Sequence, residues 1–220
     1  MSAKTTNRLA FESDLWQQGV LPVAGVDEAG RGPLAGPVVA AAVVLPRDWL
    51  DQGVDEELRG LNDSKQLTEA QRERYFSLLI SRAGITFGIS AVDAALIDQI
   101  NILQATHRAM NQALAQLDPP PQHVLVDGTR VPSMRFPQTP LVKGDARSYS
   151  IAAASVLAKV TRDRMMAEFD KLYPAYGFGE HKGYGTPQHL AAIAQHGPCA
   201  VHRRSFAPLR PTEQDLFASL

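Results

Sequence analysis

Apolar residues follow two rhythms along this chain: short β-branched runs that suit strands, and longer stretches at helical spacing. Val23 to Val26 is the first strand candidate. VVAAAVVL, residues 38 to 45 between Pro37 and Pro46, reads as a strand buried on both faces. Ile85 to Ala91, His123 to Val126 and Thr139 to Val142 complete a set of five. Thr68 to Arg82 reads as a helix that Thr68 can cap, with Tyr75, Leu78 and Leu79 at helical spacing. Asn101 to Leu117 reads as a second helix, with Leu103, Met110, Leu114 and Leu117 on one face and Pro119-Pro120-Pro121 ending it. Ser148 to Leu172 is a long Ala-rich helix, followed by a Gly/Tyr-rich loop, a helix near Pro187 to Gln195 and an irregular basic tail. Residues 1 to 20 are polar with scattered Leu9, Phe11, Leu15 and Trp16, as in a leader or short helix packed on the body. The nine-residue loop AGRGPLAGP between the first two strands is too short for a crossover helix, so the fold class is α/β with a partly antiparallel sheet.

The length of 220 residues, 45% of them hydrophobic, suits one domain, expected over 22–210 with a leader (1–21) and a tail (211–220). The longest apolar run, Val38 to Leu45, is far below the roughly 20 residues a membrane helix needs. The N-terminal stretch lacks an apolar signal core, so a soluble cytoplasmic protein is expected, and a monomer because nothing in the sequence demands a dimer. A single cysteine, Cys199, rules out an internal disulfide and a Cys-rich zinc site, leaving oxygen or imidazole to hold any metal. Six histidines (His107, His123, His181, His189, His196, His202) show no metal-ligand spacing. The net charge of −1 hides an asymmetry: residues 141–210 carry +5 and the remainder −6, which suggests a basic surface in the C-terminal third.

Acidic residues recur at strand ends, where strand propensity does not favour them: Asp27-Glu28 after the first, Asp127 after VLV, and Asp145 after LVKG. Carboxylates so placed converge on one sheet edge and repel unless a cation neutralises them. Oxygen-rich sites select Mg²⁺ or Mn²⁺, and two such ions about 3.5–4 Å apart can cleave a phosphodiester. Taken singly, Asp127-Gly128 also fits turn chemistry and Asp145 also fits a helix N-cap. Asp163, between Arg162 and Arg164 and about five helical turns beyond Asp145, reads as a structural ion-pair residue. Gly30-Arg31-Gly32-Pro33-Leu34-Ala35 satisfies a dinucleotide-binding pattern, but that pattern requires a helix next and a β-branched strand follows. The glycines therefore suggest a close backbone approach to another polar ligand.

Together GVDEAGRGPLAGP, LNDSKQL, VLVDG, VKGD with SIAAASVLAKVTRD, YGFGEHKGYGT and HRRSF resemble the bacterial ribonuclease HII family, over about residues 22 to 208. The resemblance implies a ribonuclease H-like fold with a mixed five-stranded sheet flanked by helices and a helical C-terminal extension. It also implies endonucleolytic cleavage of RNA in RNA/DNA hybrids and at ribonucleotides embedded in duplex DNA, leaving a 3′-hydroxyl and a 5′-phosphate. Asp27, Glu28, Asp127 and Asp145 match the family's Mn²⁺- or Mg²⁺-binding carboxylates. Gly30, Arg31 and Gly32 match its loop that contacts the ribose 2′-hydroxyl, the group that separates RNA from DNA. Tyr184 matches the tyrosine that senses the RNA-to-DNA junction. Lys65 and Lys143 match lysines that contact phosphates or steady the carboxylates, and Lys182 and Arg203-Arg204 are candidates for the basic surface. The four carboxylates argue against a catalytically dead binding module, and Tyr184 with the short leader argues against the related HIII type. In the tail, Gln214 to Phe217 resembles the Gln-x-Leu-Phe peptides that dock on the bacterial sliding clamp; a frayed amphipathic end is the competing reading.

Overall fold

The computed structural model describes residues 7–210; the clamp-like peptide Gln214 to Phe217 lies outside them. In chain order the elements are α1 (Ala10–Gln17), β1 (Val23–Ala29), β2 (Val38–Val44), α2 (Trp49–Gln52), α3 (Glu69–Ser81), β3 (Thr86–Val92), α4 (Ala94–Leu114), β4 (His123–Asp127), β5 (Gln138–Leu141), α5 (Tyr149–Leu172), α6 (Phe178–His181) and α7 (Pro187–His196). The five strands form one sheet in the order β3-β2-β1-β4-β5. β1–β2 and β2–β3 pair antiparallel, while β1–β4 and β4–β5 pair parallel, so the sheet is mixed, in a ribonuclease H-like fold.

Strand alternation divides the sheet between two cores. Val23, Val39, Ala41, Val43, Leu125 and Leu141 face α5, whose Ile151 to Ala154 and Val156 to Ala158 run is buried against them. Ala24, Val26, Val38, Ala40, Ala42, Val124 and Val126 face α4. The alanines of β2 and α5 let helix and sheet approach closely. Against α5 the approach is tight at Gly25, where a Cβ would lie 2.3 Å from the Ser150 carbonyl carbon. This approach seats the start of α5 beside the C-terminal ends of β1 and β4.

Helix starts follow local chemistry. Thr68 caps α3 in a reciprocal box with Gln71, and Ser148 caps α5 through the Ile151 amide. Buried Glu12 of α1 reaches the same end, accepting from Ser148 Oγ (2.6 Å), Ser150 Oγ (2.6 Å) and Ser150 N–H (3.0 Å). A carboxylate there meets the positive end of the α5 dipole, so the leader is tied down and not merely packed.

Three expectations shift. α4 joins two helices across a kink: the first, capped by Asp93 on the Leu96 amide, is not among the expected elements, and the second starts where the sequence places it, at non-helical Asn101 (φ 65°), whose side chain caps the Gln104 amide. On that helix Met110 and Leu114 are buried, but Leu103, which lines a side pocket with Met110, Glu28 and Arg31, is 44% exposed. Asp163 pairs with Lys159 one turn earlier at 2.7 Å, not with its neighbouring arginines, because residues one apart on a helix point away from each other. No described helix is long and apolar enough to cross a membrane.

Gly25→Ala is expected to destabilise the protein by about 1–3 kcal/mol, since the new methyl must displace the α5 backbone. Urea unfolding followed by circular dichroism measures this, and an unchanged midpoint would refute the close packing as described.

Candidate active site

The sheet topology itself creates the acidic cluster. β1 and β4 run parallel with Gly25 opposite Leu125 and Val26 opposite Val126. One residue further along come Asp27 and Asp127, on adjacent strands about 4.8 Å apart and with the parity that faces α5. Glu28 takes the opposite parity. β5 pairs its Leu141 with Asp127, and the chain then turns through left-handed Lys143 into a single 3₁₀ turn at Gly144–Ala146. That turn brings the Gly144 N–H onto Asp127 Oδ1 at 2.7 Å and places Asp145 beside the pair. Asp145 therefore stands in a 3₁₀ turn four residues past the end of β5 and is not the cap of α5, a role that Ser148 fills.

Asp27, Glu28, Asp127 and Asp145 line one cleft of about 590 Å³ with Gly30, Arg31, Gly32, Ser64, Lys65, Ser155, Lys159, Arg162 and Tyr184. Burial first, then the charges of Glu28 and Asp127, push the Asp27 carboxyl well above the ordinary carboxylate range. Bonds from Ser155 and the Glu28 amide only partly offset this. Burial likewise raises Glu28, opposed by Arg31 at 3.3 Å, and raises Asp145, where the next cause is Asp63. Asp63 is an acid that the sequence reading passed over. It reaches the site because Ser64 Oγ bonds Ser155 Oγ at 2.9 Å, docking the NDSK loop on α5 and carrying Lys65 to the rim.

The donor set is wholly hard oxygen, which fits Mg²⁺ or Mn²⁺. Among the described residues no three such side chains already stand in metal-clasping arrangement.

The loop after β1 forms the other wall. Two buried arginines hold it from beneath through backbone carbonyls. Arg203 donates to Gly36 (2.9 Å), Arg31 (3.0 Å) and Gly30 (2.5 Å), and Arg162 donates to Pro37 (2.9 Å), Ala35 (3.1 Å) and Lys182 (3.0 Å). Burial, and then the charge of Arg162, bring Arg203 down to about 9. Arg203 is thus an internal clamp and not part of a basic surface; Arg204, held by its amide to Asp98, remains exposed. Gly30 is required by the fold, since its φ is +95° and a Cβ would sit 2.0 Å from Arg162 Nε. Gly32 is not: among the described residues a Cβ there would meet Tyr184 Cε1 alone, at an ordinary 3.6 Å, which leaves this exposed glycine open to a ligand.

Tyr184, 48% exposed, covers Gly32 from the segment after α6. Lys143 and Lys182 do not line the cleft. Lys143 is exposed on the β5 turn, and the Lys182 ammonium bonds the Gly179 carbonyl at 2.5 Å. Arg8 in the leader also went unnoticed in the sequence. Its guanidinium spans the carbonyls of Leu61 and Asp145, bracing the NDSK loop against the 3₁₀ turn.

A ribonuclease H-like sheet with acids massed at the ends of β1 and β4 is the framework of a nuclease. The chain belongs to the ribonuclease HII family, whose family model matches residues 24–209. Ribonuclease HII from Geobacter metallireducens is 55% identical over 196 residues, covering 89% of this chain and 88% of that one. The crystal structure of ribonuclease H2 from Pyrococcus horikoshii superposes with a TM-score of 0.70 at 30% identity, covering 86% and 96% of the two chains. Bst-RNase HIII in complex with Mn²⁺ shares the fold, with a TM-score of 0.65 at 17% identity over 100% and 75%.

Arg203→Met is expected to lower the unfolding free energy by about 3 kcal/mol, because three carbonyls lose their donor. Arg204→Met should change it by less than about 0.5 kcal/mol. Equal effects in urea titrations would remove the clamp from the account.

Proposed function

We propose that this protein is an endonuclease that cuts RNA within RNA/DNA hybrids and at ribonucleotides embedded in duplex DNA. The observation that carries the proposal is one cleft with two walls: carboxylates in matched register on β1 and β4, and facing them a clamped Gly30-Arg31-Gly32 loop. Asp27, Glu28, Asp127 and Asp145 would hold divalent ions, Mn²⁺ or Mg²⁺. When bound, two such ions supply a more acidic attacking water and positive charge for the leaving oxygen.

The chain's own residues do the rest. Gly32, free of packing demands, lets the loop backbone reach the ribose 2′-hydroxyl, which supplies the preference for RNA at the cut. Tyr184 covers the neighbouring sugar and senses where ribose gives way to deoxyribose. Lys65 at the rim contacts a phosphate, and Lys143 and Lys182 serve flanking backbone beyond the cleft. Such contacts set position and salt dependence without reading base sequence. Incision on the 5′ side of the ribonucleotide leaves a 3′-hydroxyl and a 5′-phosphate, products suited to ribonucleotide and primer removal in DNA replication and repair.

A labelled DNA duplex with one ribonucleotide, supplied with Mn²⁺ or Mg²⁺, is expected to be nicked at that residue and to stay intact with a chelator. Asp127→Asn should lower the rate about a hundredfold or more, the order of effect seen when charge stabilisation is removed from an active site. Equal cutting of an all-DNA duplex would overturn the proposal.

A further inference from the structure

Behind Tyr184 lies a group of histidines that the reading above does not use. His189 on α7 is fully buried and His202 nearly so, and their Nε2 atoms are 3.0 Å apart. His181 stacks on His189 with ring centroids 4.4 Å apart, while Phe178 and Tyr176 close the pocket.

Backbone amides determine the tautomers, because an amide N–H can only donate. The Cys199 amide donates to His202 Nδ1 at 3.0 Å, so a neutral His202 carries its proton on Nε2. That proton can only be given to His189 Nε2, which must then be the acceptor. His189 is left with its proton on Nδ1, which lies 2.9 Å from the Tyr184 carbonyl. In the same way the Gly183 amide donates to His181 Nδ1 (3.1 Å), so His181 donates from Nε2 to the Tyr176 carbonyl (2.7 Å). The order is single-valued: Cys199 N–H to His202 to His189 to Tyr184 C=O.

We propose that His202 and His189 are positioning residues, a relay of fixed tautomers that anchors the Tyr184 backbone and thereby holds its ring over Gly32. This inference rests on the reading of Tyr184 as the junction sensor. An added proton anywhere on the relay would set two N–H groups head to head, so it works only when both rings are neutral. The groups facing the pair are His181, Tyr176, Cys199 and Arg204; none is a carboxylate that would favour an imidazolium. Burial, the partner ring and Arg204 bring His202 down to about 4, and burial lowers His189 as well. The second acceptor bond on the Tyr184 carbonyl, from the Thr186 amide at 2.8 Å, makes the anchor two-pronged.

Two measurements on the full chain test this. In ¹⁵N-histidine NMR spectra at neutral pH, His189 is expected as the Nδ1–H tautomer, which free imidazole disfavours, and His202 as the Nε2–H tautomer. A charged ring, or Nε2–H on His189, overturns the relay. In cleavage assays the ratio of kcat/KM on a single-ribonucleotide duplex to that on a long hybrid should fall about tenfold in His189→Ala, as for loss of one buried hydrogen bond. His189→Asn, whose amide N–H can replace Nδ1–H, should recover most of that ratio. Equal losses on both substrates, or an Asn variant no better than Ala, also overturn the proposal. Should His189→Ala fold poorly, His202→Gln, which keeps a donor for His189 Nε2, is expected to retain the ratio, and its loss there counts against the relay. Tyr184→Ala in the same assay separates the two readings. If it leaves the ratio unchanged, the junction role of Tyr184 falls, and the imidazole tautomers alone then decide whether the relay exists.

Discussion

Two parallel strands that carry aspartate at the same register, Asp27 within β1 and Asp127 at the end of β4, set the central constraint of this molecule. Asp27 and Asp127 occupy adjacent strands, share a face and lie under the start of α5, so neither can move far from the other. Burial and the neighbouring charges of Glu28 and Asp127 oppose ionisation of Asp27, and burial raises the Glu28 and Asp145 carboxyls as well. A cluster of this kind works against folding at neutral pH unless a cation arrives. Its position at the rim of a well-packed sheet is what lets the rest of the protein tolerate it.

The opposite wall resolves the opposite problem. Arg162 and Arg203 are buried cations whose hydrogen bonds run to backbone carbonyls, six among the described residues. Carbonyl dipoles are weaker partners than carboxylates, so positive charge is kept in the floor of the loop without forming ion pairs with the acids across the cleft. The same arrangement engages the carbonyl side of the loop, and the Leu34 and Gly36 amides are taken by Gly183 and Val201, which leaves the exposed Gly32 surface to offer a ligand. The acids are thereby left for a metal, and the loop for a sugar.

Much of the framework was legible in the chain. Five strands, the Thr68 cap and the Ser148 start of α5 follow from local signals, as do the acids at strand ends, because each depends on a few neighbouring residues. The failures are of another kind. The first half of α4 was missed because Asp93 lay too close to the preceding strand to be read as a cap, and Leu103 is exposed because the first turn after the Asn101 kink lines an open pocket with Glu28 and Arg31. Arg203 and Arg162 looked like surface or ion-pair residues, since their true partners are 125 or more positions away for all but one of the six carbonyls. Arg8 and Asp63 likewise reach the site only through tertiary docking. Local chemistry announced what reacts, and long-range contacts decide what holds it in place.

The most direct test is the thermal stability of wild type and Asp27→Asn, compared across pH in chelator and in Mn²⁺. A carboxyl raised in the folded state binds more protons folded than unfolded, so its ionisation lowers stability as pH climbs from the unfolded carboxylate range, about 4, through the folded value. In chelator the account requires Asp27→Asn to melt above wild type at neutral pH, with the gap closing as pH falls toward 4. Mn²⁺ should then raise wild type more than the variant. A variant that melts at or below wild type at every pH in chelator would contradict the claim that crowded carboxylates are the constraint around which this structure is built.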